Sequence, residues 1–192
     1  MKPVRFSHAS ASRNAPHESV CGDCGEVFAG ANHTLVVLAD GLGHGPDARV
    51  ASLRAVEIAS QHIDSPLDAL MLLMDRALVS TRGAAVSILR LEHEARTISF
   101  VGIGNVECRA LSAQSIQPLA MPGIVGRGFR RSRVWSYPVV AGDDLVLVTD
   151  GISSRLELDR CDGPDALAKS VLTRFGRGTD DAFVLALRVE HA

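Results

Sequence analysis

The chain has 192 residues, 46% of them hydrophobic and 22% charged, with a formal net charge of −2. That length and balance suit one compact domain, residues 1–192, able to bury a sizeable core. The absence of a basic excess points away from nucleic acid, and no run approaches the roughly 18 apolar residues of a membrane span. The opening stretch MKPVRFSHASASRN has no apolar core of signal-peptide length, so the expectation is a soluble cytoplasmic protein with no membrane partner.

Along the chain, CGDCG places Asp23 in a glycine-flanked turn ahead of a short strand. LVVLAD then reads as a buried strand over 34–40. A helix is predicted over 46–62, with Pro46 in its first turn and Val50, Leu53, Ala55, Ile58 and His62 at helical spacing. A second helix over 66–80 places Leu67, Leu70, Met71, Met74 and Leu78 on one face, with core packing as the expected use of its methionines. Strands follow at 84–91, 97–103 and 106–112, and GIGNVE between the last two resembles a hairpin with Gly104 and Asn105 at positive φ. Further strands are predicted at 133–140, 144–149 and 182–189, with a helix over 164–175. Consecutive strands with no helix between them argue for an α+β fold built on antiparallel sheets. The densest basic stretch, FRRSR at Phe129 to Arg133, reads as a solvated loop. Of the four cysteines, Cys21 and Cys24 form a C-x-x-C that lacks the second pair of a structural zinc site, so reduced thiols are expected.

The acids at strand ends carry the chemistry. Asp40-Gly41 ends one apolar run, and Asp150-Gly151 ends another in DDLVLVTDG. Asp180 and Asp181 precede a third in TDDAFVLAL, and Asp23 precedes a fourth. A carboxylate at the end of a buried strand is costly unless it is paired or bound to a cation. Any single Asp-Gly reads first as a turn. Several at the ends of neighbouring strands can instead converge, and oxygen-only donors suit hard ions such as Mg²⁺ or Mn²⁺. Two such ions about 3.5–4 Å apart can activate water and hold a phosphoryl group for in-line attack.

ADGLGHG at Ala39 to Gly45, TDG at Thr149 to Gly151 and TDDAFVLAL at Thr179 to Leu187 resemble the ordered motifs of the metal-dependent serine/threonine protein phosphatases, the type 2C or PPM group. The D-G-x-G-H-G form is similar to the SpoIIE-like branch. The small size, GIGNVECR and PGIVG are similar to stressosome phosphatases of the RsbX type. The resemblance runs from about Glu18 to Val189. It implies a β-sandwich of two antiparallel sheets flanked by α-helices, in αββα layers, and a site holding two Mn²⁺ or Mg²⁺ ions. It further implies that Asp40 bridges both ions and the Gly41 carbonyl binds one. Asp150 and Asp180 would hold the second, with Asp23 near the first through water. In the Asp180-Asp181 pair the family's ligand is the first, which leaves Asp181 to orient water. The histidine that many members carry two residues after the bridging acid is Leu42 here, and His44 follows later with a loop or helix-cap role expected. No motif marks Arg5 or Arg13 as a counterpart of the N-terminal arginine that grips phosphate in many eukaryotic members.

The activity implied is removal of phosphate from phosphoserine or phosphothreonine by metal-activated water, with no nucleophilic side chain. The implied partners are phosphorylated STAS-domain proteins of a stressosome or another partner-switching module, and the implied outcome is the resetting of a bacterial stress response. Two alternatives stay open: a phosphatase of an anti-anti-sigma factor in a different partner-switching system, and a non-enzymatic phosphoprotein-binding module.

Overall fold

The computed structural model describes residues 2–192. In chain order the elements are β1 (Val4–Arg13), β2 (Asp23–Ala29), β3 (His33–Gly41), α1 (Gly45–Gln61), α2 (Leu67–Ala77), β4 (Ala84–Glu92), β5 (Thr97–Ile103), β6 (Glu107–Leu111), β7 (Trp135–Pro138), β8 (Asp144–Val148), α3 (Pro164–Phe175) and β9 (Ala182–His191). They form two antiparallel sheets, ordered β1-β9-β8-β6 and β2-β3-β4-β5-β7. No helix is long and apolar enough to cross a membrane among the described residues.

Strand parity sorts the apolar residues into layers. In β3, Val36 and Leu38 enter the core between the sheets, while Leu35, Val37 and Ala39 meet α1 and α2. In β9, Phe183, Leu185 and Leu187 face the other sheet, and Ala182, Val184 and Ala186 lie under α3. Strands covered on both faces read as unbroken apolar runs, which is why these two are so visible in the sequence. The result is a four-layer αββα sandwich, as the resemblance implies.

The structure corrects several local expectations. Val50 and Leu53 do not form the inner face of α1; they are 58% and 46% exposed. The buried face is Ala48, Ala51, Ser52, Ala55, Ile58 and Ala59, because the helix lies close on β3 and only small side chains fit between. In α2, Met71 and Met74 are core residues, whereas Leu72 points outward. Asp23 is not in a turn but is the first residue of β2. The ten-residue strand β1 escaped sequence reading because little beyond Val4 and Phe6 is apolar in its SHASASR tail.

The expected hairpin around GIGN is absent. β5 belongs to the five-stranded sheet and β6 to the four-stranded one, so this segment crosses between the sheets. Gly104 does have positive φ, +98°, and a Cβ there would lie 2.4 Å from the Ala85 Cβ. The glycine is needed for a tight crossing rather than for a two-residue turn.

Candidate active site

The same parity delivers the acids. Asp40 follows Val36 and Leu38 on the inter-sheet side of β3, at the end where β3 gives way to the loop before α1. Its cross-strand partner on β2 is Asp23. Directly opposed residues lie about 4.5–5.5 Å apart at Cβ, and like charges there repel. From the other sheet, β8 ends at Val148 and runs into Thr149 and Asp150, while Asp180 and Asp181 lead into β9. Asp40, Asp150 and Asp180 line one small cavity of about 180 Å³, with Leu42, Gly43, His44, Ala85 and Asn105 completing its wall. Asp23 lies behind Asp40 and is buried.

These carboxylates are poorly neutralised. The Asp40 carboxyl is pushed up to about 9, first by burial and then by the charges of Asp23, Asp150, Asp180 and Asp181. Asp23 is pushed up to about 7 by burial, opposed by a hydrogen bond from the Thr149 hydroxyl and reinforced by Asp181, Asp150 and Asp180. One Asp23 oxygen, Oδ2, is buried without any hydrogen-bond donor. Asp150 stands at the open rim, yet crowding by the cavity walls and the charge of Asp180 still raise it, against Arg177 and Asn105.

The glycines after the acids serve close packing. A Cβ on Gly41 would come 1.9 Å from the Ala48 carbonyl oxygen of α1, and one on Gly151 the same distance from the Asp181 carbonyl oxygen. Neither contact can yield, because both involve backbone. Gly41 therefore lets α1 start against the end of β3, and Gly151 lets the two acidic segments of the four-stranded sheet touch.

Asp180 and Asp181 have different surroundings. Asp181 is buried, and its two oxygens accept the Ala15 and Gly22 backbone N–H groups at 2.8 Å each. It ties the segment between β1 and β2 to the start of β9. Asp180 faces the cavity, and one of its oxygens accepts the Asp181 N–H at 2.8 Å. His44 occupies the N-cap position of α1 without making a cap hydrogen bond; its Nδ1 instead meets the Glu18 carboxylate. Arg5 lies on β1 away from these contacts, and Arg13 donates to the Arg177 carbonyl oxygen at 2.5 Å. Cys21, Cys24 and Cys108 are buried free thiols, and Cys21 is pushed up to about 12 by burial, so the C-x-x-C stays protonated.

Asn105 is the residue sequence reading placed in a turn and not in the site. Its side-chain amide donates to Asp150 Oδ2 at 2.8 Å. The sequence signal was present in the conformational demand of GIGN, but the sheet crossing that aims Asn105 at Asp150 is a long-range feature. Arg177 was also missed. Its backbone N–H donates to the Gly151 carbonyl at 2.7 Å, which holds this arginine beside the second Asp-Gly.

The donor set fits hard divalent cations: carboxylate oxygens from both sheets, one of them without a donor, around a cavity open to water. No three His, Cys, Asp or Glu side chains close into a ready cage among the described residues. The oxygens surround a space instead, as befits ions that retain several waters.

Residues 30–190 match the family described as Stage II sporulation protein E (SpoIIE). The chain belongs to the SpoIIE family. It is a serine/threonine phosphatase domain of the type 2C fold. It is similar to the phosphoserine phosphatase RsbX of Bacillus subtilis (strain 168), with 25% identity over 142 residues covering 73% of this chain and 71% of the relative. Among solved structures, a chain from work on the bacterial stressosome as a modular system adapted to control secondary messenger signalling matches with TM-score 0.91. It is 26% identical and covers 96% of this chain and 100% of its own. RsbX in complex with magnesium matches at TM-score 0.86 and 20% identity, over 99% of this chain and 100% of that one, a likeness of fold.

Proposed function

We propose that this SpoIIE-family phosphatase uses two divalent ions, Mn²⁺ or Mg²⁺, to remove phosphate from phosphoserine or phosphothreonine of STAS-domain proteins in a stressosome. The observation that carries the reading is the cluster of under-neutralised acids from two sheets around one cavity, including the donorless Asp23 oxygen. In this reading Asp40 and the Gly41 carbonyl serve the first ion, with Asp23 behind them through water. Asp150 and Asp180, together with Asp40, would hold the second. Bound there, the ions supply an acidified water and charge neutralisation for an in-line displacement at phosphorus.

The chain's own residues set the stage for that displacement. Asn105 orients Asp150 by donating to one oxygen, which leaves the other for the ion. Asp181 fixes the β9 end so that Asp180 keeps its position at the cavity. Arg177 stands beside Asp150 as the local cation. His44, paired with Glu18, lines the mouth and is not needed as a proton donor. Magnesium in the RsbX complex and phosphoserine in the name of the B. subtilis relative support this assignment.

The test is hydrolysis of an aryl phosphate and of a phosphoserine STAS protein with Mn²⁺, with Mg²⁺ and with chelator, beside Asp40→Asn. The expected result is ion-dependent turnover that drops to the uncatalysed rate in Asp40→Asn, with the STAS protein preferred. Folded protein with no turnover under any ion would leave a phosphoprotein-binding module. Preference for a free-standing anti-anti-sigma factor would move the substrate to another partner-switching system. A second reading, a stressosome whose output is a secondary messenger, is favoured by the 26% identical stressosome chain.

A further inference from the structure

A cleft of about 780 Å³ runs beside β6 and is larger than the acid-lined cavity. It falls in the range of roughly 300–1,000 Å³ typical of ligand sites. It is lined by the whole of β6, with Leu119, Leu156 and Leu158 among the other lining residues. Asn105 lines both the cleft and the acid-lined cavity, so the two adjoin at this residue.

β6 is an edge strand, paired only with β8. The backbone bonds between elements include none to its outer edge among the described residues. An open edge offers a row of unpaired N–H and C=O groups to any extended chain beside it. Residues of loop 112–120 line the cleft, and Leu119 among them is 63% exposed.

We propose that the substrate segment immediately N-terminal to the phosphoserine docks in this cleft as an extended strand added antiparallel to β6. The proposal rests on the phosphatase reading above, because it needs the phosphate at the Asp150 end. The direction follows from the topology. β6 begins with Glu107 near Asn105 and runs away from the acids to Leu111. An antiparallel strand therefore runs toward the acids, and its C-terminal end delivers the phosphoserine. Antiparallel addition is the more stable ladder and continues the pattern of the sheet. The five residues of β6 span about 17 Å at about 3.3 Å per residue, which sets a footprint of about five substrate residues. Backbone pairing supplies affinity with little sequence demand, and the leucine walls favour apolar residues at alternate positions.

The test uses the intact chain with Mn²⁺ and three probes: an aryl phosphate, a phosphopeptide with an alternating Val/Lys tract before the phosphoserine and glycines after it, and the reversed peptide with the tract after the phosphoserine. The expected result is a kcat/KM at least tenfold higher for the first peptide than for the reversed one. Gln117→Trp, which narrows the cleft, and Leu119→Asp, which removes its apolar wall, should each lower the ratio of first-peptide to aryl-phosphate kcat/KM about tenfold. Equal rates for the two peptides, a preference for the reversed one, or ratios untouched by both substitutions would overturn the cleft while leaving the phosphatase intact. Failure of the unaltered chain to hydrolyse the aryl phosphate would overturn the phosphatase reading, and the cleft assignment with it.

Discussion

Two cross-strand pairs show how the same residue type serves opposite ends. At one end of the four-stranded sheet, Asp144 on β8 faces Arg188 on β9. Asp144 is fully buried, and Arg188 Nε and Nη2 donate to its two oxygens at 2.7 and 3.1 Å, with Arg160 adding a bond at 3.2 Å. At the acid-lined end, Asp23 on β2 faces Asp40 on β3, the charges that shift their carboxyls are mostly more aspartates, and Arg49 donates to the Asp23 backbone carbonyl instead of to either carboxylate. The first arrangement compensates its charge within the chain. The second leaves it over, and a fold keeps such a deficit only where something from outside supplies the missing charge. Burial alone does not tell structural acids from working ones; the partner does.

The largest expected difference between the two is in stability. Asp144→Ala leaves Arg188 facing an apolar hole and should cost about 3–5 kcal/mol, the range for breaking a buried pair by removing one partner. Asp23→Asn removes a buried carboxylate whose ionised form is disfavoured first by burial, and should raise the stability of metal-free protein at pH 8. Urea denaturation in chelator measures both. If the two substitutions destabilise alike, the contrast between the pairs fails. Hydrolysis should divide the other way, with Asp144→Ala retaining turnover per folded molecule and Asp23→Asn losing ion affinity.

Asn105→Ala sharpens the comparison at the working end. The Asn105 amide is exposed and bonds Asp150, so its loss should barely alter folding, within about 0.5 kcal/mol. As the partner that orients a proposed ligand, it should lower Mn²⁺ affinity about 10–100-fold. Titration calorimetry with Mn²⁺, beside a urea melt, separates the two. A change in folding with unchanged affinity would place Asn105 among the structural contacts of the sheet crossing.

The sequence made the acidic end more legible than the architecture that assembles it. Unbroken apolar runs ending in Asp40 and Asp150 are local signals, since strands buried on both faces must be apolar throughout. The antiparallel sheets followed from element order, and the layers from the family resemblance. What stayed hidden depends on contacts distant in sequence. Asp180 and Asp181 are adjacent in the chain, and the docking of Ala15 and Gly22 on the oxygens of Asp181 is a contact the sequence does not show. GIGN has the composition of a hairpin, and only the assignment of β5 and β6 to different sheets makes it a crossing that carries Asn105 to Asp150. Gly41 and Gly151 also have a packing role that the sequence does not show, admitting the backbone of Ala48 and Asp181. Val50 and Leu53 matched the helical period, but the close seat of α1 on β3 selects its alanine face instead.

The pH dependence of the metal-free protein extends the comparison to the aspartates themselves. Asp23 and Asp40 move from an ordinary 3.8 to about 7 and about 9, so the folded state holds protons that the unfolded chain has released. Stability falls with pH wherever the folded state binds more protons. The contribution of these groups is therefore full below about 4 and declines as pH rises, through about 7 for Asp23 and about 9 for Asp40. Melting temperature in chelator should fall between pH 5 and 9, and Mn²⁺ should flatten the curve by supplying the missing charge. Asp40→Asn should flatten it without the ion, since its neutral amide has no proton to lose. A curve equally steep with and without Mn²⁺, and in Asp40→Asn, would assign the slope to other groups and remove the electrostatic link between the opposed aspartates and the cation they await.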